Sequence, residues 1–89
     1  MQERSVTIVN KLGLHARAAA KFVTVASAFS CDIEITKDGQ KVNGKSIMGV
    51  MMLAASRGTE LVLITSGVNE DAAADALEQL IAERFGEHE

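Results

Sequence analysis

Segments in which apolar and polar residues alternate are interleaved along the chain with segments in which apolar residues recur at helical spacing. In the first, residues 4–9 (RSVTIV), Val6 and Ile8 fall on one side and Ser5 and Thr7 on the other, which is typical of a half-buried strand. The same criteria predict strands over 31–37, 41–42 and 60–66 and helices over 16–28, 47–54 and 70–85. Strands with one polar face and helices to cover the other predict an α+β open-faced two-layer sandwich, a four-stranded antiparallel sheet with three helices on one face in the order βαββαβα.

Turn and cap residues mark the boundaries of these elements. Asp38-Gly39 predicts a hairpin turn, and Arg57-Gly58 is expected to end the second helix. Ser46 and Asn69 are expected to cap the second and third helices.

Two helices carry a stripe of small or apolar residues that should face the sheet. In the first helix the predicted stripe is Ala16, Ala19, Ala20, Val23 and Ala26. In the last helix it is Ala73, Leu77, Leu80 and Ile81.

Length and composition restrict the class of protein. A chain of 89 residues with 47% hydrophobic residues is suited to a single domain, 1–89, with one core. One cysteine and the absence of a charged-then-apolar leader favour the cytoplasm. The longest apolar stretch is too short to span a bilayer, and a net charge of −3 without Trp or Tyr disfavours nucleic-acid binding.

Charge is distributed unevenly along the sequence. Most of the acidic residues follow Glu60, whereas Lys11, Arg17, Lys21, Lys41 and Lys45 precede it. The sequence therefore predicts a mildly basic region around His15.

His15 lies where a glycine-containing loop leads into the first helix. The free amides of a helix N-terminus bind anions, and their partial positive charge favours a neutral, nucleophilic imidazole. Arg17 can place a forked guanidinium on phosphate oxygens. Composition alone favours an ordinary loop-to-helix role for His15 and a solvated side chain for Arg17, because His-x-Arg is a weak pattern. No nearby Asp, Cys or second His suggests a catalytic triad or a metal site, and His88 belongs to a charged, solvated tail.

The run GLHARAAAKF resembles the active-site signature of HPr, the histidine phosphocarrier family of the bacterial phosphotransferase system. The segment NGKSIMGVMMLAASRGTELVL resembles the second helix of that family and its flanks, at the expected separation. This resemblance implies that His15 is phosphorylated on a ring nitrogen by enzyme I, itself charged from phosphoenolpyruvate, and donates to EIIA-type proteins. Arg17 and the first-turn amides of Ala16, Arg17 and Ala18 would hold the phosphoryl group, with no metal, nucleotide or other cofactor.

One position departs from the family pattern. The family usually has proline after the active-site arginine, where this chain has Ala18. Proline in a first turn fixes the backbone without removing a needed hydrogen bond, whereas alanine is a good helix former there. We expect slightly more flexibility at the phosphate site and retained function.

Ser46 has two interpretations that are compatible. As an N-cap, it accepts a hydrogen bond from a following amide. In some members of the resembled family the matching serine is phosphorylated by an ATP-dependent serine kinase, and a phosphate there would lie on the helix terminus and add charge to the docking face.

The second helix has more apolar residues than one core-facing side can hold. Ile47, Met48 and Met51 share a side and Met52 turns away, so some of them should be exposed. Each is equally explained as core, but adaptable methionines near His15 suit docking of several partners. The resemblance implies docking through this helix and the first one, including Lys21, by a protein that we expect to be a monomer.

Other function classes remain. One is a small acyl-phosphate hydrolase with an arginine phosphate cradle, and another is a regulatory binding module modified only at Ser46. Within the carrier class, the sequence leaves open whether the acceptor serves sugar uptake or the nitrogen-related branch, and the segments NKLGLHAR and VMMLAASRG favour the nitrogen-branch type. Cys31 is expected to pack as a small hydrophobe without a chemical role.

Overall fold

Four strands form one antiparallel sheet in the computed structural model, which describes residues 1–89. The strands are β1 (Gln2–Thr7), β2 (Asp32–Lys37), β3 (Gln40–Asn43) and β4 (Glu60–Ser66), in the spatial order β1-β4-β2-β3. The helices are α1 (Ala16–Ser27), α2 (Ile47–Met52) and α3 (Glu70–Ala82), followed by a C-terminal 3-10 turn (Arg84–Gly86). The predicted α+β sandwich and its element order are confirmed.

The sheet is half-buried, as the alternating sequence pattern requires. In β2, Ile33 and Ile35 are buried and the residues between them are not. Ile35 pairs with Leu63 of β4, which is also buried, so each strand contributes every second side chain to the core. The β2–β3 hairpin turns at Asp38-Gly39, where both residues have positive φ, 50° and 83°, as a type I′ turn requires.

The helices pack on the buried face, but α1 presents a different side from the predicted one. Ala19 and Ala26 are buried as expected, whereas Ala16 is exposed and Ala20 and Val23 are only partly buried. The buried side instead includes Ala18 and Phe22. In a helix with alanine at many positions, the single aromatic ring decides which side meets the core, because it buries the largest apolar area.

Several element ends and one cap differ from the predicted ones. β1 spans 2–7 rather than 4–9, although Ile8 is still fully buried. α2 ends at Met52, well before Arg57-Gly58, because Ala54 has a φ of 50° that a helix cannot continue through. Asn69 occupies the N-cap position of α3 but its side chain makes no capping bond. Instead, the Glu70 carboxylate accepts a hydrogen bond from the amide of Gly67, at 3.0 Å.

The end of the chain turns back towards α1 instead of continuing α3 to residue 85. Arg84 and Phe85 both have positive φ, 59° and 56°, which reverses the chain direction. The ring of Phe85 is fully buried in the core. Among the helices, none combines the length and the apolar character needed to cross a bilayer.

Candidate active site

The loop before His15 is held against the segment that follows α2. The amide of Leu14 donates to the carbonyl oxygen of Ala55 at 2.9 Å, and the Leu14 side chain is buried. Gly13 has a φ of 70°, and a Cβ atom there would lie 2.5 Å from the same carbonyl oxygen. Only glycine fits this close approach. The backbone that carries His15 is therefore fixed from both the core and the α2 side.

His15 occupies the N-cap position of α1 in extended conformation, with a φ of −75° and a ψ of 177°. Its carbonyl oxygen accepts the first helical hydrogen bond, from Ala19, at 2.8 Å. Its side chain does not cap the helix. The amides of Ala16, Arg17 and Ala18 donate to no other group of the protein. Three free amides beside an imidazole form a site suited to an anion.

Arg17 adds an unpaired positive charge to the same turn. It is exposed, and its guanidinium forms no ion pair or hydrogen bond within the protein. Ala18, by contrast, has a fully buried side chain, so it contributes only its amide to the site.

A carboxylate lies on the other side of the imidazole, which the sequence did not predict. The Nε2 atom of His15 contacts Oε2 of Glu87. The two side chains are 29% and 15% exposed, so the imidazole is partly covered and still reachable from solvent. The expectation of a basic surrounding for His15 is therefore wrong on this edge of the ring, because the acidic end of the chain folds back to it.

The Glu87 carboxylate is ionised at neutral pH. Burial acts to raise the pKa of Glu87, but hydrogen bonds from Asn10 and His15 outweigh it, helped by the positive charge of Lys21. The pKa of Glu87 consequently lies below its usual value.

Asn10 connects the loop to the tail and was not among the predicted site residues. It is fully buried, and its Nδ2 donates to the carbonyl oxygen of Gly13 at 2.9 Å and to Oε1 of Glu87 at 3.0 Å. Both partners are acceptors, so the Asn10 side chain must direct its NH2 group towards them. This determines the orientation of its side-chain amide.

Lys21 has a structural contact in addition to its predicted docking role. Its Nζ donates to the carbonyl oxygen of Phe85 at 2.7 Å, which ties the C-terminal turn to α1. Sequence patterns gave no direct indication of this arrangement. The one available signal is that Phe85 is an aromatic residue within an otherwise charged terminus, and such a residue needs an apolar site.

α2 presents a continuous apolar surface to solvent. All four candidate residues are exposed, Met48 most of all at 75%: Ile47, Met48, Met51 and Met52. The side of α2 that meets the core carries Val50, followed by Leu53 after the helix end. The expectation that not all four could face the core is confirmed.

The remaining candidates are readily placed. Ser46 caps α2, since its Oγ accepts from the amide of Gly49 at 3.0 Å. Cys31 is buried as expected, and His88 is exposed. No group of three or more His, Cys, Asp or Glu side chains is arranged to hold a metal ion.

Comparisons with known proteins agree with this arrangement. Residues 2–83 match the family model PTS-HPr, described as the PTS HPr component phosphorylation site. The chain is 53% identical to the phosphocarrier protein HPr of Cupriavidus necator over the full length of both. It superposes on HPr-C-His from Thermoanaerobacter tengcongensis with a TM-score of 0.96, at 49% identity and full coverage of both chains. It also superposes on an HPr dimer from the same organism with a TM-score of 0.79, at 50% identity, covering 98% of this chain and 100% of the other.

Proposed function

The chain belongs to the HPr family, a phosphocarrier of the phosphotransferase system, and from that premise we propose that it accepts a phosphoryl group on His15 from enzyme I and passes it to EIIA-type proteins. The group originates from phosphoenolpyruvate, so the carrier acts in the cytoplasm, and residues 1–89 work as one domain. The single observation that carries the proposal is the group of three unpartnered amides next to a partly exposed imidazole.

The site is suited to transfer rather than to turnover. A phosphorus–nitrogen bond to imidazole is labile, so the group can leave again. Arg17 and the amides of Ala16, Arg17 and Ala18 would share the charge of the phosphoryl oxygens during in-line displacement. Neither a metal nor a nucleotide is needed for this step. The protein is then a stoichiometric carrier whose reaction is completed only by a partner.

Partner docking is assigned to the exposed surface of α2 and the adjoining part of α1. Ile47, Met48 and Met51 supply adaptable apolar contact, and methionine side chains can repack against partners of different shape. Lys21 would add a positive charge at the rim. We expect the working form to be a monomer, because a self-associated α2 surface would be closed to partners.

Ser46 would be a second modification site where the host has a serine kinase. Its hydroxyl already lies on the first turn of α2, so a phosphate there would meet the helix N-terminus. It would also place negative charge beside the docking surface.

The experiment is incubation of the purified protein with enzyme I and phosphoenolpyruvate, followed by intact-mass measurement. We expect a mass increase of one phosphoryl group that is lost in acid and absent in His15→Ala. The matched control is His88→Ala, which removes the other histidine and should keep the label.

Three results would contradict this proposal or favour another function. Label that persists in His15→Ala would refute the assignment of His15. Steady release of inorganic phosphate from acyl phosphates by this protein alone would favour the hydrolase. Acid-stable label from ATP and a kinase, without label from enzyme I, would favour the regulatory module.

A further inference from the structure

All the methionines of the chain except Met1 lie in α2. Met48, Met51 and Met52 occupy three of the six positions of this helix and together form the methionine cluster. Their side chains are 75%, 41% and 66% exposed, so each is open to solvent. The thioether of methionine is a nucleophile that peroxides oxidise to a sulfoxide. The structure therefore concentrates readily oxidised sulfur atoms on one short helix.

Few other side chains compete for an oxidant. The single thiol, Cys31, is only 3% exposed, and susceptibility of a thiol to oxidation follows its exposure. The chain has no Trp or Tyr. Met1 is exposed as well, but its amino group pairs with Glu70 at the start of α3, at 2.6 Å, outside the surface of α2. Oxidation of the cluster is therefore the change that a mild oxidant would make to the proposed docking surface.

The fold does not depend on the cluster. The side of α2 that meets the core carries Val50, which is fully buried, and Leu53 follows after the helix end. The start of the helix is held by the side chain of Ser46, which accepts from the amide of Gly49. A sulfoxide on an exposed position therefore changes the chemistry of the surface and leaves the core intact.

We propose that the methionine cluster is a reversible oxidation site: a peroxide converts Met48, Met51 and Met52 to sulfoxides, and phosphoryl exchange with partners slows until the sulfoxides are reduced. A sulfoxide is polar, and burying it against an apolar partner surface without a hydrogen bond is costly. The oxidation itself follows from exposure alone. Its effect on exchange rests on the proposed function, in which partners dock on α2.

The oxidation step transfers one oxygen atom to sulfur and two electrons to the oxidant. A lone pair of the Sδ atom attacks one oxygen of hydrogen peroxide, an S–O bond forms, and the O–O bond breaks with its electron pair on the departing oxygen. The oxygen bound to sulfur gives its proton to that departing hydroxide, which leaves as water. In the reverse direction, a dithiol reductase supplies two electrons: two thiols become a disulfide, and the sulfoxide oxygen leaves as water with their two protons.

The test compares the wild-type protein with Met48→Leu/Met51→Leu/Met52→Leu. Leucine keeps an apolar side chain and a high helix propensity but has no sulfur, and the variant retains Met1 and Cys31. Both proteins are treated with hydrogen peroxide, and peptide mapping by mass spectrometry measures the sulfoxide at each methionine. Steady-state phosphorylation by enzyme I and phosphoenolpyruvate gives kcat and the KM for the carrier. Circular dichroism checks the fold, and thiol titration of the denatured protein checks Cys31.

We expect Met48 and Met52 to oxidise before Met51, in the order of their exposure, while the Cys31 thiol stays reduced. The KM of the oxidised wild type should rise about tenfold with kcat within about twofold, because docking is weakened and His15 is unchanged. The leucine variant should have the same KM before and after treatment. Methionine sulfoxide reductases specific for each sulfoxide epimer, supplied with a dithiol, should restore the KM of the oxidised wild type.

A KM that does not rise after full conversion of the cluster would overturn the inference. An equal rise in the leucine variant would also overturn it, since Met1 or another group would then be responsible, and a KM that stays high after the sulfoxides are reduced would overturn reversibility. An untreated wild-type protein that takes up no phosphoryl group would instead refute the proposed function. The effect on exchange would fall with it, while the peptide map would still decide whether the cluster is the oxidised site.

Discussion

α1 and α2 begin in opposite ways. At the start of α2, the side chain of Ser46 accepts a hydrogen bond from the Gly49 amide at 3.0 Å. At the start of α1, the residue in the same cap position is His15, whose side chain makes no such bond and contacts Glu87 instead. The cap at α2 therefore satisfies one first-turn amide, that of Gly49, whereas all three first-turn amides of α1 are left free.

This difference separates a structural helix start from a functional one. A serine cap contributes about 1 kcal/mol relative to alanine, and a helix start without such a cap forgoes that stability. α1 retains its first turn by burying Ala18, Ala19 and Phe22, so tertiary packing replaces the cap. The free amides then remain available for a ligand, and under the proposed function the cap residue itself is the reactive group.

The largest expected effect that tests this contrast comes from Arg17→Ala. Because the guanidinium has no partner in the resting protein, its charge is available to phosphoryl oxygens, and its loss should slow uptake from enzyme I by about 10- to 100-fold. The free energy of unfolding should change by no more than about 0.5 kcal/mol, since the side chain is exposed and unpaired. Quenched-flow labelling and urea unfolding measure the two quantities.

The matched control is Arg57→Ala, because Arg57 is also an exposed arginine without an ion pair. Equal rates in the two variants would show that Arg17 does not hold the phosphoryl group.

The second effect is expected at the other helix start, in Ser46→Ala. Removal of the cap should lower the free energy of unfolding by about 1 kcal/mol in urea titrations, while phosphoryl uptake by His15 stays within about twofold of wild type. Ser30→Ala is the control, because Ser30 is exposed and makes no side-chain hydrogen bond. Slower uptake without a loss of stability would show that Ser46 acts in phosphoryl uptake and is not a structural cap.

The smallest expected effect is a pH-dependent change in the free energy of unfolding. It is expected at the start of α1 and not at the start of α2. Because the pKa of Glu87 is lowered in the folded protein, its contribution to stability is complete above the ordinary pKa of an unfolded glutamate and is lost as the pH falls through the folded-state value. Glu87→Gln should therefore be less stable than wild type by a few tenths of a kcal/mol at neutral pH, and the difference should disappear as the pH falls below the lowered pKa of Glu87. Urea titrations across this range measure it. The Ser46→Ala difference should not change, since a hydroxyl does not titrate there, and a Glu87→Gln difference that persists in acid would contradict the ionised contact.

The parts of the fold that the sequence predicts well are those set by local pattern. β4 has its predicted bounds, 60–66, because a run of β-branched and apolar residues ending at glycine has no competing helical interpretation. The Ser46 cap was equally predictable, because a cap bond joins residues three apart. The side of α1 that faces the core was not, since alanine at many positions makes several sides nearly equivalent and only the packing of Phe22 decides between them.

In the candidate site, too, local features could be predicted from the sequence and long-range contacts could not. His15 and Arg17 are two residues apart in sequence and could be selected together. The contact of His15 with Glu87 joins residues 72 apart and depends on Arg84 and Phe85 adopting positive φ. Arg84 and Phe85 both have reasonable helix propensity, so the local sequence pattern predicts that α3 continues through them. Burial of the Phe85 ring, which no local pattern encodes, is what ends the helix and brings the tail to the site.

The packing of Gly13 and Leu14 on the Ala55 carbonyl has a mechanical consequence. Ala55 follows the helix whose methionines face solvent, so a partner docked on α2 as proposed would lie beside the backbone that holds the loop before the imidazole. Each partner would then meet the same loop geometry, without a rearrangement on binding. Under the proposed function, contacts on α2 could differ between partners while the orientation of His15 stays the same.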